Sequence, residues 1–184
     1  MKKTNHFILL IATICLLGVG LVHAQKNKLI TSTSAGVIKL GMSAAEARRR
    51  AKPLKVSKGV NVFEGDMLSR VTEGRKLVMT FIEYTGKITR IDVVDSTYHT
   101  TKGVRVGMSL RDVEKKYGKL EKIEIDEQTD YEYAIFANSP AGLKFRVAVS
   151  GKGKRAGIYA KDAYETTKFN RGIFIKTIAV EPTY

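Results

Sequence analysis

The chain has 184 residues, enough to bury a real core in one compact domain or two small halves. A single cysteine excludes an intrachain disulfide framework, and three histidines make the chain sparse in imidazole chemistry. The formal charge of +14 either favours anionic neighbours or serves solubility alone.

Residues 1–24 read as a secretory signal peptide. Lys2 and Lys3 head an apolar run from Phe7 to Val22, and Val22-His23-Ala24 places small residues at the two cleavage-reading positions. Cleavage is expected after Ala24. Cys15 lies too deep in the apolar run for a lipid anchor, and Ile14 stands where a lipoprotein signal needs a small residue. Losing Lys2 and Lys3 takes the charge from +14 to +12. The exported chain then has no cysteine and one histidine, His99. No later stretch is apolar enough to span a bilayer, so a periplasmic or secreted protein without a lipid anchor or integral span is expected. Export argues against nucleic acid and for an anionic envelope component or another exported protein as partner.

Residues 25–35 read as a flexible N-terminal segment. The first patterned element is Leu40-Gly41-Met42-Ser43-Ala44-Ala45-Glu46 and onward to Ala51. Ser43 is a helix N-cap and Glu46 completes a capping box, with Met42 placed to staple onto Ala47. Ala44, Ala47 and Ala51 form an apolar stripe, Arg48, Arg49 and Arg50 lie off it, and Pro53 stops the helix after about ten residues. The span from Lys76 to Tyr84 is β-rich, and Thr85-Gly86-Lys87 turns into a strand from Ile88 to Asp95. Asp92 and Asp95 are three apart, so a strand points them to opposite faces and they make a poor acid/base pair. Asp92 pairs more naturally with Arg90, and Asp95-Ser96 ends the strand as a turn. His99 lies in a polar linker, 96–103. A triad with Asp95 is conceivable, but no G-x-S-x-G elbow accompanies it, and a plain surface histidine is the simpler reading.

Val106-Gly107-Met108-Ser109 opens a second copy of the helical motif. It aligns with the first without a gap, from Gly41 to Gly107, an offset of 66. Ser109 caps, Asp112 stands for Glu46, and Leu110, Val113 and Tyr117 fall on Ala44, Ala47 and Ala51. Met108 can staple onto Val113, and Gly118 ends the helix. Leu120, Ile123 and Ile125 suggest a strand. The run from Asp126 to Asp130 could hold calcium but lacks a calcium-loop pattern, and a hairpin turn fits better. Tyr131 to Phe136 is a strand, 138–142 a turn, and Leu143 to Val149 alternates as a half-buried strand. In 150–157, glycines alternate with Lys152, Lys154 and Arg155. Such a loop can bring backbone and cations to a phosphate or carboxylate, although it is no Walker loop and also reads as a solvated turn. The closing strand, Gly172 to Val180, echoes 88–93 in its Ile175 to Val180 portion.

These elements predict an α+β fold of two tandem repeats, 36–98 and 99–184, each a short capped helix on antiparallel sheet. The segments 86–96 and 101–107 resemble a family of uncharacterised Gram-negative envelope proteins, whose best-known members are described as sigma-E-regulated lipoproteins. The likeness starts near Ala35, is sharpest from Gly86 to Asp112 and fades after Lys152. The missing lipid-anchor cysteine means that tethering does not carry over. More loosely, the L-G-M-S helical halves look like the repeats of beta-lactamase-inhibitory proteins and of small outer-membrane assembly lipoproteins, which bears on fold only. The reading is a non-enzymatic binding or envelope-maintenance module with no catalytic residue, metal or cofactor. Its binding candidates are Lys152, Lys154 and Arg155. An inhibitor or partner of another exported protein is the alternative, and a small hydrolase the weakest.

Overall fold

The computed structural model describes residues 28–149 and 154–183. The expected leader, its cleavage site and Lys152 lie outside those residues. The protein is α+β and mostly β. Strands β1 (Leu29–Thr31), β2 (Ser34–Ala35) and β3 (Ile38–Lys39) lead to helix α1 (Ala44–Arg50). Then come β4 (Lys55–Val56), β5 (Val60–Phe63), β6 (Asp66–Glu73), β7 (Lys76–Tyr84), β8 (Lys87–Val93) and β9 (His99–Thr100). Helix α2 (Leu110–Tyr117) is followed by β10 (Leu120–Asp126), β11 (Tyr131–Phe136), β12 (Leu143–Val149), β13 (Glu165–Thr166) and β14 (Ile173–Val180).

One large sheet runs β13-β10-β11-β12-β14-β8-β7-β6-β4, with β5 also on β6. Its middle is the antiparallel β8–β14 pair, so it has two wings that meet where Ile178 faces Val93. Strands β1 and β2, within the 25–35 segment expected to be flexible, join β3 and β9 in a second sheet, β3-β2-β1-β9, in which Ile30 and Ala35 are fully buried. The stretch around His99, expected as a linker, is a strand parallel to β1. The expectation failed because these strands are two or three residues long, too short for a period to show.

Both capped helices form where the sequence places them, at seven and eight residues rather than ten. The Ser43 hydroxyl accepts from the Glu46 amide and the Ser109 hydroxyl from the Asp112 amide, each at 3.2 Å. Gly41 and Gly107 have φ of +79° and +89°, a region open to glycine at little cost. That turn aims the Gly41 N–H at the carbonyl of Ile88 (2.8 Å), while Ile88 donates back to Met42 (2.7 Å). Gly107 donates to Ile175 (2.8 Å), and Ile175 donates back to Met108 (2.9 Å). Each helix entrance is thus riveted to a central strand of its own wing.

The core lies between the helices and one sheet face. Ala44, Ala47 and Ala51 are buried, as are their counterparts Leu110, Val113 and Tyr117. Met42 is buried and Met108 half-buried against the same core. Tyr117 and Phe136 each pack on Phe145, with ring centroids 5.6 and 5.8 Å apart. Aromatic burial of this kind contributes about 0.5–1.5 kcal/mol per pair beyond area alone.

Candidate functional site

The wings differ at one connection. Strands β7 and β8 are joined by Thr85-Gly86, both at positive φ, a tight hairpin. In the other wing, β12 and β14 are joined by residues 150–172, which include β13 and the segment carrying the predicted binding cations.

A buried carboxylate anchors this insertion. Glu132 sits on β11 in phase with the core residues Ala134 and Phe136. It accepts from the amides of Ala156 (2.7 Å) and Gly157 (2.8 Å) and from the Tyr159 hydroxyl (2.8 Å). Three donors compensate the desolvation that a buried carboxylate otherwise suffers. Burial first, and then the bond to Glu132, hold the Tyr159 phenol protonated well above its usual range. Gly157 leaves no room for a side chain: a Cβ there would lie 2.6 Å from the Tyr159 ring and 2.7 Å from Thr166 Cγ2. The amides of Ala156 and Gly157, which a glycine-spaced loop could offer to an outside anion, are therefore occupied from within.

Of the predicted cations, Lys154 and Arg155 are exposed. Arg155 donates to the Asp130 carboxylate and, at 3.0 Å, to the Asp130 carbonyl. Beside them, on the sheet face away from the helices, a cleft of about 730 Å³ is lined by Arg146, Lys154, Arg155, Lys176 and Tyr131, together with Asp130 and Glu132, whose carboxylates are engaged by Arg155 and by the 156–159 segment. The Arg146 guanidinium lies over the Tyr131 ring, 3.1 Å from its centroid, a cation–π contact. Lys176 is the extra residue of a bulge where β14 passes Arg146 and Val147. Among the described residues, no carboxylate lies within ion-pair distance of Arg146, Lys154 or Lys176.

The cations farther along the same face are paired. Arg90 donates to both oxygens of Asp92 (2.8 and 2.9 Å) and to the Tyr133 hydroxyl (2.7 Å), and it pairs with Glu181 (2.7 Å). Burial works against its charge, but Asp92 and Tyr133 outweigh that and raise its pKa further. Lys144 takes the other Glu181 oxygen at 2.9 Å. Such a network braces the β8–β14 seam and balances its two cations with two carboxylates.

The remaining candidates are occupied by structural contacts. Asp95 is buried, with Lys76 Nζ at 2.9 Å and the Thr97 amide donating at 2.9 Å. His99 Nδ1 lies 3.1 Å from the Thr100 carbonyl, and no hydrogen bond joins it to Asp95 or a serine among the described residues. Asp126 Oδ1 accepts from Gln128, Thr129 and the Thr129 hydroxyl, which makes the acidic run a turn. Arg50 pairs with Glu46 at 2.7 Å and Arg48 donates to the Ser57 carbonyl. Sequence reading missed Glu132, Tyr131, Arg146 and Lys176 as site residues. A glutamate on the apolar phase of a strand was the one signal available.

No family model matches the chain, and no curated protein matches it. Among solved structures, the uncharacterized protein yfeY from Escherichia coli shares the fold, with a TM-score of 0.59 and 16% sequence identity. The alignment covers 83% of this chain and 99% of that one.

Proposed function

We propose that this is a non-enzymatic binding module of the cell envelope, and that its ligand is an anionic envelope component seated in the cleft beside the insertion. One observation carries the reading: Arg146, Lys154 and Lys176 converge on a 730 Å³ cleft, and among the described residues none of them has a carboxylate within ion-pair distance. The two acidic residues of the lining, Asp130 and Glu132, are engaged by Arg155 and by the 156–159 segment. Elsewhere on that face Arg90 and Lys144 are neutralised. Tyr131 adds an exposed ring that holds Arg146 flat, which suits a phosphate or carboxylate attached to a larger body. The leader and the resemblance to uncharacterised envelope proteins support the location. The two wings are read as copies of one unit. The matched caps and the rivets at Ile88 and Ile175 support that, and the copy with the insertion is the one that acquired a site.

Sedimentation of the chain from Gln25 with phosphatidylglycerol-containing and purely phosphatidylcholine vesicles tests this. Wild type should bind the anionic vesicles at low salt and release them as salt screens exposed charges, over about 8 Å at physiological strength. Each surface cation contributes about 1 kcal/mol toward an anionic membrane, so removing Arg146, Lys154 and Lys176 together should weaken binding about 100-fold. Removing Arg48, Arg49 and Arg50 deletes the same charge and should cost far less. Equal losses would mean that net charge alone binds, and no binding at low salt would end the reading.

A further inference from the structure

A cavity of another character belongs to the first wing. It measures about 230 Å³ and lies between the small sheet, the end of α1 and strand β7. Ile38, Ala51 and Met79, all buried, and the half-buried Leu54 make its walls apolar. Tyr98 also lines it, although only 4% exposed. Burial first, with the charges of Glu73 and Asp95 adding to it, pushes the Tyr98 phenol up to about 12, so the hydroxyl keeps its proton at neutral pH. The Tyr133 and Tyr159 hydroxyls both have partners, whereas that of Tyr98 has none among the described residues. Buried donors in native proteins are ordinarily met, so this one is set for an acceptor from outside the chain.

The charged part of the lining is Lys28, Arg50, Lys52 and Glu73. Arg50 is held by Glu46 at 2.7 Å. Lys28 and Lys52 have no carboxylate within ion-pair distance among the described residues. Lys28 Nζ donates to the Thr97 hydroxyl at 3.1 Å and stands 5.9 Å from the centroid of the Tyr98 ring, so an ammonium and the unmet phenol border one cavity. Two unpaired cations outnumber the single carboxylate, and a phenol proton without an acceptor adds to them. Together they favour an anionic head over a cationic one. At about 30 Å³ per non-hydrogen atom, the apolar space takes about eight such atoms. We propose that this cavity binds an amphiphile, its short aliphatic tail against Ile38, Leu54 and Met79 and its anionic head at Tyr98, Lys28 and Lys52. A free medium-chain fatty acid and the acyl end of an anionic lipid share that chemistry. The site is separate from the cleft beside the insertion and does not rest on the reading of that cleft.

Isothermal titration of the chain from Gln25 with sodium octanoate tests this. Octanoate should bind with a dissociation constant on the order of 0.1–1 mM, as suits a ligand of its size. Butyrate keeps the head but lacks four methylenes, and should bind about 200-fold more weakly. Octanol keeps the tail but lacks the charge, and should bind about tenfold more weakly. Tyr98→Phe removes the unmet hydroxyl, so the melting temperature should hold or rise while octanoate weakens about tenfold. Val37→Phe fills the cavity from its half-buried lining and should abolish binding, with the melting temperature showing that the fold survives. Dioctanoyl phosphatidylglycerol below its micellar concentration separates the two sources. Binding tighter than octanoate assigns the cavity to a lipid, and weaker binding assigns it to a free acid. No heat with octanoate overturns the proposal. So does octanoate binding that Tyr98→Phe and Val37→Phe both leave intact, or butyrate binding as tight as octanoate, which places the anion on the general basic surface.

Discussion

The two wings of the sheet use the same fittings for different ends. In each, a left-handed glycine and a methionine carbonyl rivet a capped helix to a central strand, Ile88 in one and Ile175 in the other. The spacing between helix motif and rivet differs: the two isoleucines are 87 residues apart, whereas the two glycines are 66 apart. The surplus of 21 is the difference between the two-residue turn 85–86 and the 23-residue connection 150–172. The first wing closes its central hairpin as tightly as a chain can. The second joins its central strands through a long connection held by a buried glutamate, beside a cleft in which Arg146, Lys154 and Lys176 have no carboxylate within ion-pair distance among the described residues. A sheet can therefore carry a long connection at one hairpin without disturbing its core, provided that the added backbone groups find partners.

The sharpest way to break the comparison is to remove the insertion's anchor. Glu132→Ala strands the amides of Ala156 and Gly157 and the Tyr159 hydroxyl, each a donor that costs about 1–3 kcal/mol when buried unmet. Loosening of the loop recovers part of that, so urea unfolding should show a loss of about 3 kcal/mol. Hydrogen exchange should quicken at residues 156 and 157 while Ile88 and Ile175 stay protected. If exchange rises equally across both wings, the insertion is part of the core and not an addition to it.

The first wing offers a smaller test through its own buried carboxylate. Burial pushes Asp95 up, but Lys76 and the Thr97 amide outweigh it and hold the carboxyl below its ordinary 3.8. A pKa depressed by folding adds stability above the ordinary value, and that stability fades as pH falls through the folded value. Asp95→Asn should therefore cost about 2 kcal/mol at neutral pH, the worth of hydrogen bonds to a charged group. The gap between wild type and variant should narrow as pH drops below 3.8. A gap that persists unchanged in acid would assign the loss to packing instead of charge.

What was legible in the sequence had a local cause. Ser43 and Ser109 cap because of residues three positions on, the 85–86 hairpin follows from two adjacent residues, and β12 shows its alternation openly. Strand β6 did not announce itself, because its buried positions are Ser69 and Val71, and a serine breaks the apolar period. The site suffered most from distance. Arg155 read as a free cation because Asp130, its partner, stands 25 residues away across a hairpin. The loop's amides read as available because Glu132 is equally remote. Arg146 and Lys176 join the cleft only through the β12–β14 register, and a bulge that no residue in the sequence marks sets Lys176 beside Arg146.

The smallest effect bears most directly on whether the wings are equivalent. Ser43→Ala and Ser109→Ala each remove a side-chain acceptor from one amide in the first turn, and each should cost about 1 kcal/mol. The two are not identical in detail. The Ser109 hydroxyl also donates to Asp112 at 2.8 Å, and that carboxylate is held below its ordinary value chiefly by Lys115, with Ser109 adding to it. Glu46 is instead turned to Arg50. The second helix should thus lose slightly more, within the ordinary spread of cap energies. Because the caps are far apart in sequence and share no partner, the double variant should lose the sum of the two. Urea midpoints for the wild type, both single variants and the double variant settle it. Additive losses of similar size are the signature of two independent, equivalent helix entrances, whereas a loss at one serine alone would show that only one wing depends on its cap.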